Sequence, residues 1–313
     1  MTILLKKWSD TVKKPVTFLV KWRSLPLYEL ASYVFMFASM PMLAYGITTY
    51  TFGQCTIILF TVLTLYCGFF AALIWNDITD VKVDCLVHPD RPLPEGRIAQ
   101  KKFFLIALLF SALTFIFSSI VSLYCLLFVC FSALFVAIHN KYLKKKINIT
   151  AFSEIVTPLQ WTIVPVFGFL AAGVYDVNII LSLILFTYFA DSAHDISEGI
   201  HDAKGDKIDG IRTYAVCLGK RKAKKISFLW FIISGIFGIT IYFVANLSPL
   251  FLFLFCISWL YTFRWYYTLL TKDEKEIEDY SLVVGRKGFN YFLIVYDAIF
   301  IDLIIQLLYY NLV

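Results

Sequence analysis

Of the 313 residues, 60% are hydrophobic and only 16% are charged, with a mean hydropathy of +0.75 and a net charge of +6. A soluble domain carries about 25% charged residues, so this composition excludes an ordinary water-exposed globule. The 28 Lys and Arg are spread along the whole chain, which excludes a nucleic-acid surface built on one basic patch, and nothing points to an obligatory protein partner.

In chain order, residues 1–27 interleave Leu4, Leu5, Trp8, Val12 and Phe18 with Lys6, Lys7, Lys13, Lys14 and Lys21. That pattern predicts a segment lying on an anionic membrane face. It lacks the continuous apolar core and small-residue cleavage site of a signal peptide. Nine apolar runs follow, at 28–47, 51–75, 103–120, 123–138, 151–174, 177–190, 226–245, 249–263 and 288–308. A spanning helix needs about 20 mostly apolar residues, so runs 177–190 and 249–263 need their flanks to cross. The expected fold is all-α: a polytopic integral membrane protein with about nine transmembrane helices around a central cavity. Residues 1–313 form a single membrane domain, with 1–27 interfacial and 28–313 in the nine-helix bundle.

Charge supports the count. Six Lys and Arg precede the first run, five lie between the second and third, and four between the fourth and fifth. Eight lie between the sixth and seventh and five between the eighth and ninth, which accounts for all 28. The remaining connections and the C-terminus hold none. By the positive-inside rule the N-terminus and the charged loops are cytoplasmic, and the C-terminus is on the opposite side. The seven Cys include no CxxC, so neither a disulfide framework nor a thiolate metal site is expected.

Two charged connections are long, 76–102 and about 191–225. Each opens with acids, passes a Gly and ends in basic residues, a weak repeat of the kind that places a site between halves. In the first, Asn76, Asp80 and Asp84 stand at i, i+4 and i+8, with Asp77 three before Asp80. If the second helix continues through them, all four share roughly one face. Like charges at that spacing repel, and a divalent cation would reverse the sign. Magnesium fits, since it prefers oxygen ligands and binds through one or two carboxylates plus substrate phosphates. The second cluster repeats the theme with Asp195, Asp202 and Asp206 at i, i+7 and i+11. Two acidic clusters at one mouth of a bundle form a clamp for a magnesium–diphosphate, with a helix-loop cap over it.

Asn76–Asp84 reads NDxxDxxxD and is followed by Arg91-Pro92-Leu93-Pro94-Glu95-Gly96-Arg97-Ile98. Asp202–Asp206 reads DxxxD, and Gly205-Asp206 with Gly210-Ile211-Arg212-Thr213 completes a second signature. Together these resemble the UbiA superfamily of intramembrane prenyltransferases, over essentially the whole chain. The resemblance implies that Asn76, Asp80 and Asp84, with Asp195, Asp202 and Asp206, hold Mg2+ against the diphosphate of a polyprenyl donor. Asp77, Asp80 and Asp202 are then the candidates for catalysis itself. The reaction implied is loss of diphosphate to leave an allylic cation, which an unidentified small or lipid-like acceptor attacks within the membrane.

Arg23, Arg91, Lys144, Lys145 and Lys146, with nearby Tyr142, are candidate diphosphate contacts, and His201 shares the second cluster's face. Glu154 and Gln160 are costly inside a span and are candidates for acceptor binding. Asp297 and Asp302 are expected to satisfy interhelical hydrogen bonds. Two rivals remain open at this point. A UbiA-type terpene cyclase would use the same metal site, and a transporter would place its functional acids near the bilayer midplane rather than at helix ends.

Overall fold

The computed structural model describes residues 26–312 except His88 and Asp90. Arg23 and nearly all of the basic N-terminal segment lie outside the described residues. Among those described there is no strand, and nine helices are long and apolar enough to cross a membrane. They are α1 (Leu27–Tyr45), α2 (Phe52–Thr79), α3 (Gln100–Val121), α4 (Leu123–Lys146), α5 (Phe152–Ala172), α6 (Val177–Asp209), α7 (Lys220–Val244), α8 (Pro249–Thr271) and α9 (Ile277–Leu312). Leu105, Leu109 and Ile116 on α3 and Leu127, Phe131 and Leu134 on α4 all stand exposed. Apolar belts of this extent suit lipid and not water, and the chain is a multi-pass membrane protein. All seven Cys are free.

Local chemistry sets the helix ends. Thr51 and Gln54 form a reciprocal capping box at the start of α2, with Thr51 N donating to Gln54 Oε1 at 2.9 Å. Asp176 caps α6 by accepting from the amides of Asn178 and Ile179. Ser248 caps α8 just ahead of Pro249, where a missing amide proton costs nothing. At the other end of α8, Lys224 Nζ donates to the carbonyls of Leu270 and Lys272 at 2.9 and 2.6 Å.

Three elements depart from the plain apolar runs. The fourth helix continues past Ile138 through one π-helical turn, His139–Leu143, into Lys144–Lys146. The fifth is broken: Phe152–Val156 is α-helical, Thr157–Gln160 is 3-10, and α-helix resumes at Ile163. Pro158 accounts for the interruption, because it cannot donate to the preceding turn. The sixth helix does not end at Ala190, where its apolar run stops, but continues to Asp209. The second acidic cluster is therefore helix and not loop. Ile196, Ile200 and Ala203 are buried along this extension, so it is amphipathic and pays its way by packing. The 33 residues of α6 span about 50 Å at 1.5 Å per residue, well beyond a hydrocarbon layer of about 30 Å.

The buried helix α6 packs most extensively on α7 and α9, while α1 lies against α2, α5 and α9. Ser227 Oγ donates to Ala193 O at 2.6 Å and lies 2.8 Å from Ser197 Oγ, tying α7 to α6. Ser32 Oγ donates to Asp297 Oδ2 at 2.7 Å, tying α1 to α9. Asp302 accepts from Ser248 N at 3.0 Å and from Gln306 Nε2 at 2.6 Å. The two membrane-embedded acids of α9 thus make the interhelical bonds expected of them. Where α5 crosses α1, a Cβ on Gly168 would overlap the Met40 side chain and lie 3.2 Å from its Cα. Backbone cannot swing aside as a side chain can. Gly168→Val is expected to destabilise the bundle by about 1–3 kcal/mol, read as a lowered thermal midpoint in detergent. An unchanged midpoint would refute the close crossing.

Candidate active site

The first cluster forms where α2 stops. Asp80 is the C-cap residue, and its amide still bonds Asn76 O at 2.9 Å. A short helix, Val81–Val87, then starts with Asp84 N on Asp80 O, also at 2.9 Å. The i, i+4 ladder therefore runs through the break and keeps Asn76, Asp80 and Asp84 stacked. Asp77 and Asp84 are 2% and 4% exposed, which carboxylates tolerate only with partners. Arg91 Nη1 supplies one, 2.5 Å from Asp84 Oδ1 and 3.8 Å from Asp77 Oδ1. Its loop is shaped by Pro92, Pro94 and Gly96, the last at φ +74°, a conformation that only glycine adopts without strain.

The second cluster sits on the extension of α6. Gly210, at φ +75°, ends the helix, and Ile211 N returns to Asp206 O at 2.8 Å. Asp206 accepts the Thr213 hydroxyl and lies within electrostatic reach of Asp202, Asp209 and Lys144. Lys144 Nζ donates to Asp80 Oδ2 at 2.7 Å. One ammonium thus stands between a carboxylate of the first cluster and a carboxylate of the second. The Val81–Val87 helix packs against α6, which brings the elements carrying the two clusters side by side. The π-helical turn inserts one residue ahead of Lys144 and sets its register. Lys145 Nζ turns to Asp209 Oδ2 at 2.5 Å. Lys146 and Tyr142 are exposed, with the ammonium 5.6 Å from the ring centroid.

Other predicted residues are placed as follows. Glu154 is 6% exposed and accepts the Tyr214 amide, which pins the turn after Thr213 to α5. Its Oε1 fills the space where a Cβ of Gly199 would be, so α5 approaches α6 through that glycine. Gln160 Nε2 bridges to His139 Nδ1 at 3.1 Å and Asn140 Oδ1 at 3.2 Å, bracing the π-helical turn. His201 is half-buried, one residue before Asp202. Asp195 stands deeper than Asp202 and Asp206, by seven and eleven residues, or about 10 and 16 Å of helix rise. A magnesium–oxygen distance is about 2.1 Å, so one ion does not join Asp195 to Asp206.

Asp195 instead belongs with Asp191 and His194. His194 Nε2 is 2.7 Å from Asp191 Oδ1, and Nδ1 is 3.6 Å from Asp195 Oδ1. Glu198 lies one turn on, seated against Gly285 of α9. The His194 ring meets Phe289 at 5.0 Å. From there a run of packed aromatic rings passes through Trp161 to Phe69 (5.4 Å) and on to Tyr33 (4.4 Å). Asp191 and Glu198 were not among the expected site residues. The available signal was an acid in almost every turn from 191 to 206, which reads as one helix face once the helix is extended.

A model of the UbiA prenyltransferase family matches residues 32–289. The chain belongs to that family. Digeranylgeranylglyceryl phosphate synthase of Sulfolobus acidocaldarius is 30% identical over 168 residues, 53% of this chain and 57% of that protein. The synthase of Methanococcus aeolicus is 34% identical over 178 residues, 55% and 60% of the two chains. The matches thus span about three-fifths of the length of these curated relatives. Among solved UbiA-family structures, the apo form of a UbiA homolog from Aeropyrum pernix K1 has a TM-score of 0.66 at 16% identity, covering 88% of this chain and 98% of that one. A UbiA homolog from Archaeoglobus fulgidus bound to DMAPP and Mg2+ has a TM-score of 0.56 at 16% identity, over 87% and 98%. At this identity the likeness shows a shared UbiA fold.

Proposed function

We propose that this UbiA-family chain transfers a prenyl group from a polyprenyl diphosphate to a small or lipid-like acceptor inside the membrane, with Mg2+ as cofactor. The observation that carries the reading is Lys144 lodged between Asp80 and Asp206, a cation already standing where two carboxylate clusters converge. The donor set is all oxygen: Asp77, Asp80 and Asp84 with the Asn76 amide on one side, Asp202 and Asp206 on the other. Hard oxygen ligands suit magnesium, so the residues present fit the ion. Magnesium held there would neutralise the charge that develops on a departing diphosphate.

The chain's own residues do the rest. Lys144 and Lys145 present ammonium groups at the mouth, and Arg91 holds Asp77 and Asp84 in place. On this reading the packed aromatic rings from Phe289 to Tyr33 border the path of the prenyl chain, keep water out and offer π surfaces to a developing cation. The C1–oxygen bond to diphosphate breaks with its electron pair on oxygen, and a bond from C1 to the acceptor forms. The names of the synthase relatives and the DMAPP-bound neighbour support this reaction class. On this reading the basic end of the bundle, including the N-terminus, is cytoplasmic and the C-terminus lies across the membrane. Residues 1–313 act as one membrane domain, capped over the site by the Val81–Val87 helix and the turn at Gly210.

The test uses the full chain in nanodiscs with C1-labelled ten- to twenty-carbon prenyl diphosphates and a membrane extract as acceptor source. Diphosphate release and a labelled adduct are expected with Mg2+, and both are expected to stop on chelation with EDTA and resume when Mg2+ is restored. Absence of release from every donor would refute the reading. A cyclic hydrocarbon formed without acceptor would move it to the cyclase chemistry.

A further inference from the structure

The diphosphate chemistry leaves the seam between α8 and α9 unused, and cations stand along it. Arg264 directly follows the apolar run 249–263, and Lys287 directly precedes the run 288–308. Each thus sits where its helix passes from hydrocarbon to the headgroup level at the basic end of the bundle. Lys287 is half-buried, with Nζ 5.8 Å from the Tyr261 ring centroid and 5.5 Å from that of Trp265, both on α8. Those two rings meet edge to face, 6.4 Å apart. Arg264, next to Trp265 in the chain, is exposed. Both cations lie within electrostatic reach of the Tyr261 hydroxyl.

A neighbouring lysine on the same seam shows what is missing. One aromatic step toward the loop, Trp265 meets Tyr280 at 6.0 Å, and Lys272 Nζ stands 5.2 Å from the Tyr280 centroid. That ammonium also has a carboxylate, Glu276 Oε2 at 2.8 Å. Among the described residues no carboxylate comes within 4.0 Å of the charged nitrogens of Lys287 or Arg264. Aromatic faces hold a cation in place but leave its charge unneutralised, and two like charges at a membrane boundary repel. An anion set between them reverses that sign, and the Tyr261 hydroxyl adds a donor. Snorkelling explains a lysine that reaches out into water, not one turned onto two rings. Farther into the bilayer the same helix faces present exposed apolar side chains. Ile257 lies one turn from Tyr261 on α8, and Ile294 two turns from Lys287 on α9. A phosphate carrying acyl chains engages both features, whereas a free phosphate engages only the cations.

We infer that the α8–α9 seam holds an anionic phospholipid, its phosphate between Lys287 and Arg264 and its chains along Ile257 and Ile294. A phosphatidylcholine headgroup brings its own cation beside the phosphate, so its net charge is zero and it gains far less from two basic side chains. The seam therefore selects for net negative charge. This site is independent of the prenyl-transfer chemistry and would bind lipid whether or not donor is present.

The test uses the full chain in dodecyl maltoside, with bound lipid counted by native mass spectrometry. Dioleoyl phosphatidylglycerol and dioleoyl phosphatidylcholine are titrated separately. The first phosphatidylglycerol is expected to bind about tenfold more tightly than phosphatidylcholine or better, the scale set by one or two cation contacts. Arg264→Gln combined with Lys287→Gln is expected to remove most of that preference, and Lys287→Arg, which keeps the charge, to retain it. Lys222→Gln combined with Lys225→Gln takes the same charge from exposed positions on α7 and is expected to leave the preference unchanged. Glycerol 3-phosphate in large excess is expected not to displace the lipid. Equal binding of the two lipids, or an equal loss in the α7 variant, overturns the inference. So does displacement by glycerol 3-phosphate, which would make the seam a site for a free phosphate. Should the double variant of the seam unfold, Lys287→Gln alone decides: a reduced preference supports the site and an unchanged one overturns it.

Discussion

Asp80→Ala and Asp202→Ala are each expected to reduce prenyl transfer by about two to three orders of magnitude, the loss seen when one element of a preorganised charge-stabilising site is removed. The two residues lie on opposite walls. Asp80 caps α2 and is held by Lys144 at 2.7 Å, whereas Asp202 stands on α6 one turn before Asp206. Magnesium binds through one or two carboxylates plus substrate phosphates, so a diphosphate held between the walls would draw on both, and a large loss is expected from either side. Asp202→Asn keeps the volume and removes the charge, and the same loss is expected from it. Turnover is measured as C1-labelled adduct, with thermal unfolding in detergent as the control for folding. Near-normal turnover in a folded Asp80→Ala or Asp202→Ala variant would refute the assignment. Asp195→Ala is a useful contrast, because seven and eleven residues of helix separate it from Asp202 and Asp206, and a smaller loss is expected from it.

The helix count could be read from charge, because every Lys and Arg falls into alternate connections and a missed span would scramble that order. The two carboxylate ladders were also visible, as was the cost of burying Glu154, Asp297 and Asp302. Three things were hidden, each for a physical reason. The apolar run of α6 ends at Ala190, so hydropathy stops the helix there. The chain continues as helix because Ile196, Ile200 and Ala203 still bury one face while the acids share the other. The π-helical turn at His139–Leu143 adds a single residue and has no composition of its own. Finally, Lys144, Lys145 and Lys146 are the same residue three times. Only tertiary register decides that the first reaches Asp80, the second Asp209, and the third lies exposed beside Tyr142.

That register makes Lys144→Met the second decisive variant, because its two expected effects have opposite sign. The side chains of Lys144 and Asp80 are 11% and 14% exposed, so their pairing is largely shielded from solvent. In the metal-free protein the ammonium competes with magnesium for Asp80. Removing it is expected to lower the Mg2+ concentration needed for half-maximal activity. Once donor is bound, the same ammonium faces diphosphate oxygens, and a charged hydrogen bond of that kind contributes about 1.5–3 kcal/mol. Its loss is expected to raise KM for the prenyl diphosphate by about tenfold to a hundredfold. Methionine keeps the length of the stem, so packing against the π-helical turn is preserved. A merely structural lysine would weaken both affinities together, as would general unfolding. A fall in the magnesium requirement alongside a rise in donor KM is the signature of a residue that stands between the clusters and exchanges one anionic partner for another during turnover. Parallel losses would instead assign Lys144 to bracing the fold.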